Sequence, residues 1–170
     1  MHFDQETAKR RAQTGATALA AVALGLGFVA HSAHAAGAPA GAQPSKSEYG
    51  VIFQIDRGDQ ATIKKTLNNI ENILHDPRFK GRTLQVELIA NSKGFEVYAK
   101  GNGFESKLKQ LKADGVKLAQ CANTLRELHV DRNDLYSFVR IVPSGMGEIV
   151  IRQGEGWAYI HPSSPPANQL

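Results

Sequence analysis

The stretch "KLAQCANTLRELHV", Lys117 to Val130, joins an apolar run to a polar, helix-forming one and holds Cys121, the single cysteine of the 170-residue chain. "VKLAQ", Val116 to Gln120, reads as a short strand bounded by "ADG". "NTLRELHV" then reads as a short helix. Cys121 therefore stands at a strand-to-helix junction. In a sheet built from such units, residues at the carboxyl ends of the strands gather on one rim, where ligands bind.

The same alternation extends in both directions. "YGVIFQI" (Tyr49 to Ile55) is β-branched and aromatic, with apolar residues at both parities, as in a strand covered on both faces. Asp59 is placed to cap a helix in which Ile63, Leu67, Ile70 and Leu74 recur at helical spacing. "LQVELIA" (Leu84 to Ala90) is a second strand, followed by a short helix around Phe95 to Ala99. After the "GNG" break, Phe104, Leu108 and Leu111 mark a further helix. "VRIV" (Val139 to Val142) is a fourth strand, Ser144 caps a helix carrying Met146, Ile149 and Val150, and "WAYI" (Trp157 to Ile160) is the last strand. Repeated β–α units predict an α/β fold with a mainly parallel five-stranded sheet and helices on both faces. Topology then brings Asp56, Asn91, Cys121 and Ser144 to one rim.

The ends of the chain read differently from this core. Lys9, Arg10 and Arg11 precede the uncharged run "GATALAAVALGLGFVA" (Gly15 to Ala30), and small residues at Ala33 and Ala35 form an A-x-A cleavage site. The expected organisation is a signal peptide over 1–35, a flexible linker over 36–47, a globular domain over 48–162 and a tail over 163–170. The export signal predicts a periplasmic protein with no membrane segment after cleavage. The Sec route is favoured, and Arg10-Arg11 leaves the twin-arginine route open. An uncleaved anchor is the competing reading, weakened by the shortness of the run.

A formal net charge of +4 with no window of basic residues interleaved with aromatics argues against nucleic-acid binding. The histidines and Cys121 lack metal-ligand spacing, so no metal or cofactor is expected. Without C-x-x-C, a dithiol mechanism within one chain is excluded, and no Cys–His–acid arrangement supports a hydrolase. Asp56 and Asp59 in "DRGD" read as turn and cap residues in preference to an acid/base pair. Two readings of Cys121 stay open: a thiolate stabilised at a helix start, able to carry sulfane sulfur, or a small buried hydrophobe.

"VIFQI", "ELIANSKGFEVY", "GVKLAQCANTL" and "VPSGMGEIVIRQGEGWAYIHP" together resemble the DsrE/DsrF family of sulfur-metabolism proteins over Tyr49 to Pro162. The resemblance implies a three-layer α/β/α sandwich and assembly as homo-oligomers, trimers or hexamers. It also implies that Cys121 corresponds to a family cysteine that accepts and passes on sulfur. The turn "NSKG" stands where relatives more often have Asn-Gly, and relatives in the best-understood complexes lack an export signal.

On that reading Cys121 is the persulfide-forming nucleophile, a sulfur carrier or transferase. Asn123, Thr124, Arg126, Asn91, Asp56 and Ser144 form the surrounding binding rim, with Asn123 orienting the turn and Arg126 adding positive charge. A sulfur donor or acceptor protein is the expected partner. The alternative is a non-catalytic oligomeric binding or assembly module with a structural cysteine.

Overall fold

The computed structural model describes residues 41–163. The expected signal peptide, the first residues of the linker and the end of the tail lie outside that range. Five strands, β1 (Glu48–Ile55), β2 (Thr83–Ala90), β3 (Lys117–Cys121), β4 (Arg140–Val142) and β5 (Ala158–Ile160), form one sheet in the order β4-β3-β2-β1-β5, with every pairing parallel. The helices are α1 (Gln60–Leu74), α2 (Glu105–Ala113), α3 (Ala122–Glu127) and α4 (Gly145–Gly154).

The strand order accounts for the layers. From β1 to β4 each crossover steps the same way across the sheet, so right-handed connections put their helices on one face. The link from β4 to β5 runs back to the opposite edge, and the same handedness puts α4 on the other face. Side-chain parity follows. Phe53, Ile55, Leu88 and Leu118 pack with Ile63, Leu67, Ile70, Leu108 and Leu111 in the larger core. Ile52, Ile89, Ala119 and Val142 pack with Ile149 and Trp157 under α4. Each such burial stabilises by roughly 1.5–3 kcal/mol, so most of the stability comes from the first face.

Local chemistry sets the element ends. The Asp59 carboxylate accepts the Thr62 N–H at 2.9 Å and starts α1; Ser144 Oγ accepts the Gly147 N–H at 3.1 Å and starts α4. The helix expected around Phe95–Ala99 is instead a 3₁₀ helix over Ser92–Tyr98, begun directly at the end of β2. Gly94 lets it lie on the end of β1, since a Cβ there would fall 2.0 Å from the Ile55 carbonyl oxygen. The last strand starts at Ala158 because the Trp157 N–H donates to the Arg152 carbonyl at 3.0 Å, closing α4. Part of the segment read as linker is held as well: Arg78 donates to the Ala42 carbonyl, Arg82 donates to those of Lys46 and Pro44, and the Tyr49 hydroxyl accepts from Ser45 and Lys46. No helix among the described residues is long and apolar enough to cross a membrane.

Candidate functional site

Adjacent strands whose following connections leave to opposite faces open a crevice at their carboxyl ends. Here that switch falls between β3, which feeds α3 on one face, and β4, which feeds α4 on the other. Cys121 is the last residue of β3, pairs in register with Val142 and points to the α4 side. It also caps α3. The sulfur thus stands where two helices begin.

The approach of α4 depends on Gly145. A Cβ at that position would lie 3.3 Å from Cys121 Cβ, 3.4 Å from Ile89 Cγ1 and 3.5 Å from Asn91 Cβ. Without it, the first turn of α4 packs directly against Cys121, and the Gly145 N–H is among the groups that lower the thiol pKa. Burial pushes the thiol pKa up, but the N–H groups of Gly145, Thr124 and Asn123 and the Thr124 hydroxyl outweigh it and leave the thiol below its ordinary value. Thr124 is fixed for this task. Its Oγ1 accepts the Ser92 N–H at 2.9 Å, a contact that does not use its own hydroxyl proton. That contact holds Ser92 at φ 48°, a left-handed backbone uncommon for serine. Cys121 itself is only 5% exposed.

The expected rim residues fall into three groups. Asn91 and Asp56 continue the register, so Asp56, Asn91 and Cys121 stand in a row across β1, β2 and β3. Thr124 and Ser144 act on the thiol's surroundings, the first directly and the second by capping the helix that carries Gly145. Arg126 turns toward the surface, where its guanidinium donates to Asn123 Oδ1 at 2.9 Å. Asp56 pairs with His161 at 2.9 Å, both about one-third exposed. Asp59, as the sequence suggests, is a cap.

Three contributors escape sequence reading. Gly145 carries no motif of its own, although a glycine immediately after a helix cap permits close approach. Gln54, the one amide within "VIFQI", is 8% exposed and donates to Asn91 Oδ1 at 2.8 Å. Tyr159 donates its hydroxyl to Gln54 Oε1. A lone amide in an apolar strand was the available signal, since a buried amide needs partners.

Concavities elsewhere lie far from this rim. One of about 350 Å³ sits below Trp157 and one of about 500 Å³ is lined by His75, Pro77 and Leu84, both at the amino ends of the strands. No group of three or more histidine, cysteine or acidic side chains able to hold a metal occurs among the described residues.

The sequence profile of the DsrE/DsrF-like family matches residues 85–162, from within β2 to just beyond β5. A solved structure of a protein of unknown function from Methanobacterium thermoautotrophicum is 36% identical, with a TM-score of 0.62, over 67% of this chain and 99% of its own. The chain belongs to the DsrE/DsrF-like family. A second solved protein of unknown function, from Bacteroides thetaiotaomicron, is 8% identical with a TM-score of 0.54 over 66% of this chain and 93% of its own, and shares the fold. No curated protein matches the chain. Within this DsrE-like chain, the matched segment includes the strand end that bears Cys121, both helix starts and Tyr159.

Proposed function

We propose that this DsrE-like protein is a periplasmic sulfur carrier in which Cys121 accepts sulfane sulfur and passes it on. Family membership supports sulfur relay as the general activity. The observation that carries the residue assignment is the place of Cys121 at the start of α3 and against the first turn of α4, where nearby backbone N–H donors leave the thiol below its ordinary value. Such donors favour the thiolate, which is the nucleophile in sulfur exchange. No neighbouring base is then required.

The step is an exchange at sulfur. The Cys121 thiolate attacks the outer sulfur of a donor persulfide, R–S–SH. The new bond joins Sγ to that sulfur, the donor S–S bond breaks, and its proton passes to the departing R–S⁻. The products are Cys121–S–S⁻ and R–SH, and nothing is oxidised or reduced from outside. Delivery to an acceptor reverses the sequence. Ser144 keeps the Gly145 N–H in place, and Arg126 and Asn123 form the outer lip.

The basic, apolar and small-residue order of Lys9 to Ala35 supports export. Assembly as a homo-oligomer, a trimer or hexamer, is supported by α4, where Met146, Val150 and Ile151 are 50%, 69% and 58% exposed. One observation favours a second reading, an assembly module with a structural cysteine: Cys121 is only 5% exposed. Alkylation of the folded protein at neutral pH separates the two. A sulfur carrier is labelled at Cys121, and a packed structural thiol is labelled only on unfolding.

A further inference from the structure

The α4 side of the sheet holds a polar chain that leads to the thiol. Tyr159 on β5 donates to Gln54 Oε1 on β1, and Gln54 Nε2 donates to Asn91 Oδ1 at the end of β2. Asn91 Nδ2 then donates one of its protons to Ser92 Oγ at 3.2 Å. The donors run in a single direction, so the orientation of the last amide is set by the first hydroxyl. Burial pushes the Tyr159 phenol up, with Asp56 adding to the effect, so its proton is present at neutral pH. A primary amide has two N–H groups and one carbonyl. With the Asn91 carbonyl engaged by Gln54 and one N–H by Ser92, a single N–H remains.

That N–H belongs to the residue beside Cys121. The register carries Ala90 opposite Gln120 and hence Asn91 opposite Cys121, and both Cβ atoms lie within about 3.5 Å of the point where a Gly145 Cβ would be. Gly145, Thr124 and Asn123 are the groups that do most to lower the thiol's own pKa. We propose that the chain Tyr159–Gln54–Asn91 presents the spare Asn91 N–H to the outer sulfur of a persulfide on Cys121, one bond beyond Sγ. Asn91 is then a binding residue, and Gln54 and Tyr159 are positioning residues. The site accordingly favours sulfane sulfur held on Cys121 as the anion Cys121–S–S⁻ over a neutral disulfide at the same residue. This deepens, and rests on, the reading of Cys121 as a sulfur carrier.

The test is the exchange equilibrium between Cys121 and glutathione persulfide, read by intact mass as the fraction of full-length protein carrying one added sulfur at a fixed persulfide-to-thiol ratio. The pH midpoint of Cys121 alkylation is measured beside it. Losing one charge-assisted hydrogen bond lowers the equilibrium constant about tenfold in Asn91→Ala. Loosening its orientation lowers it about threefold in Tyr159→Phe, and the alkylation midpoint stays at its wild-type value in both. Equal loading of the two variants and the wild type overturns the proposal. So does a fall in loading that is matched by a raised alkylation midpoint, which would place the effect on the thiol. A wild-type protein that takes up no sulfur removes the carrier reading itself, and this proposal with it. Tyr159→Phe deletes one oxygen from a half-exposed ring, so it keeps the test decisive where Asn91→Ala disturbs folding.

Discussion

A methyl group added at Gly145 would meet three Cβ and Cγ atoms between 3.3 and 3.5 Å away, close enough to shift the start of α4 by a few tenths of an ångström. That shift withdraws an N–H from the Cys121 sulfur. In the wild type the nearby N–H groups hold the thiol below its ordinary value, so its alkylation rate levels off at lower pH. Gly145→Ala is expected to raise the midpoint and slow alkylation at pH 7 about threefold, with stability changed by less than about 1 kcal/mol because alanine favours the helix. A pH profile of iodoacetamide labelling checks both. The Cys121 junction and the Ser144 cap were legible in the sequence, because each is a local pattern of residue types. The Gly145 contact was not, because it joins residues 24 positions apart across two strands, and nothing local records that distance.

Among the elements, α4 is the one whose packing is chemically mixed. Beneath it the fully buried Glu87 carboxylate accepts from Arg140 at 2.7 Å and from Arg152 at 2.8 Å, with Glu148 sharing both cations. Burial pushes Glu87 up, and the two arginines only partly offset this. An acid whose folded pKa is raised holds its proton longer in the folded state, so stability falls as pH rises from about 4.3 through the folded value. Glu87→Gln removes that slope while leaving the arginines poorly paired. The expected cost is about 1–3 kcal/mol, larger at pH 4 than at pH 7, read from urea midpoints at the two values. The 3₁₀ helix after β2 makes the opposite point. Gly94 lies against the Ile55 carbonyl, where backbone cannot yield, so Gly94→Ala should lose at least about 3 kcal/mol in the same measurement. "NSKG" announced a turn there, but the tightness that makes it 3₁₀ comes from β1.

For the molecule as a whole, the strand order places the candidate rim. Alternating strand and helix patterns gave a parallel sheet with helices on both faces. They could not give the order β4-β3-β2-β1-β5, which depends on the last strand returning to the far edge. That return puts α4 alone on its face and makes the β3–β4 gap the switch point. It also leaves Met146, Val150 and Ile151 facing outward on α4, the helix whose first turn lies against Cys121. If copies of the chain meet there, Val150→Glu should convert the oligomer to monomer without lowering the unfolding midpoint by more than about 0.5 kcal/mol, measured by light scattering and urea denaturation. Assembly would also control access to a thiol that is nearly buried in the single chain.

The central claim is that Cys121 carries sulfur. Its most direct measurement is peptide mass spectrometry of the folded, full-length protein after incubation with glutathione persulfide and removal of the donor. The account predicts one added sulfur atom on the peptide containing Cys121, lost on treatment with excess thiol and absent in Cys121→Ser. A folded protein whose Cys121 peptide gains no sulfur, at a donor concentration that modifies a free cysteine peptide in the same tube, would contradict it.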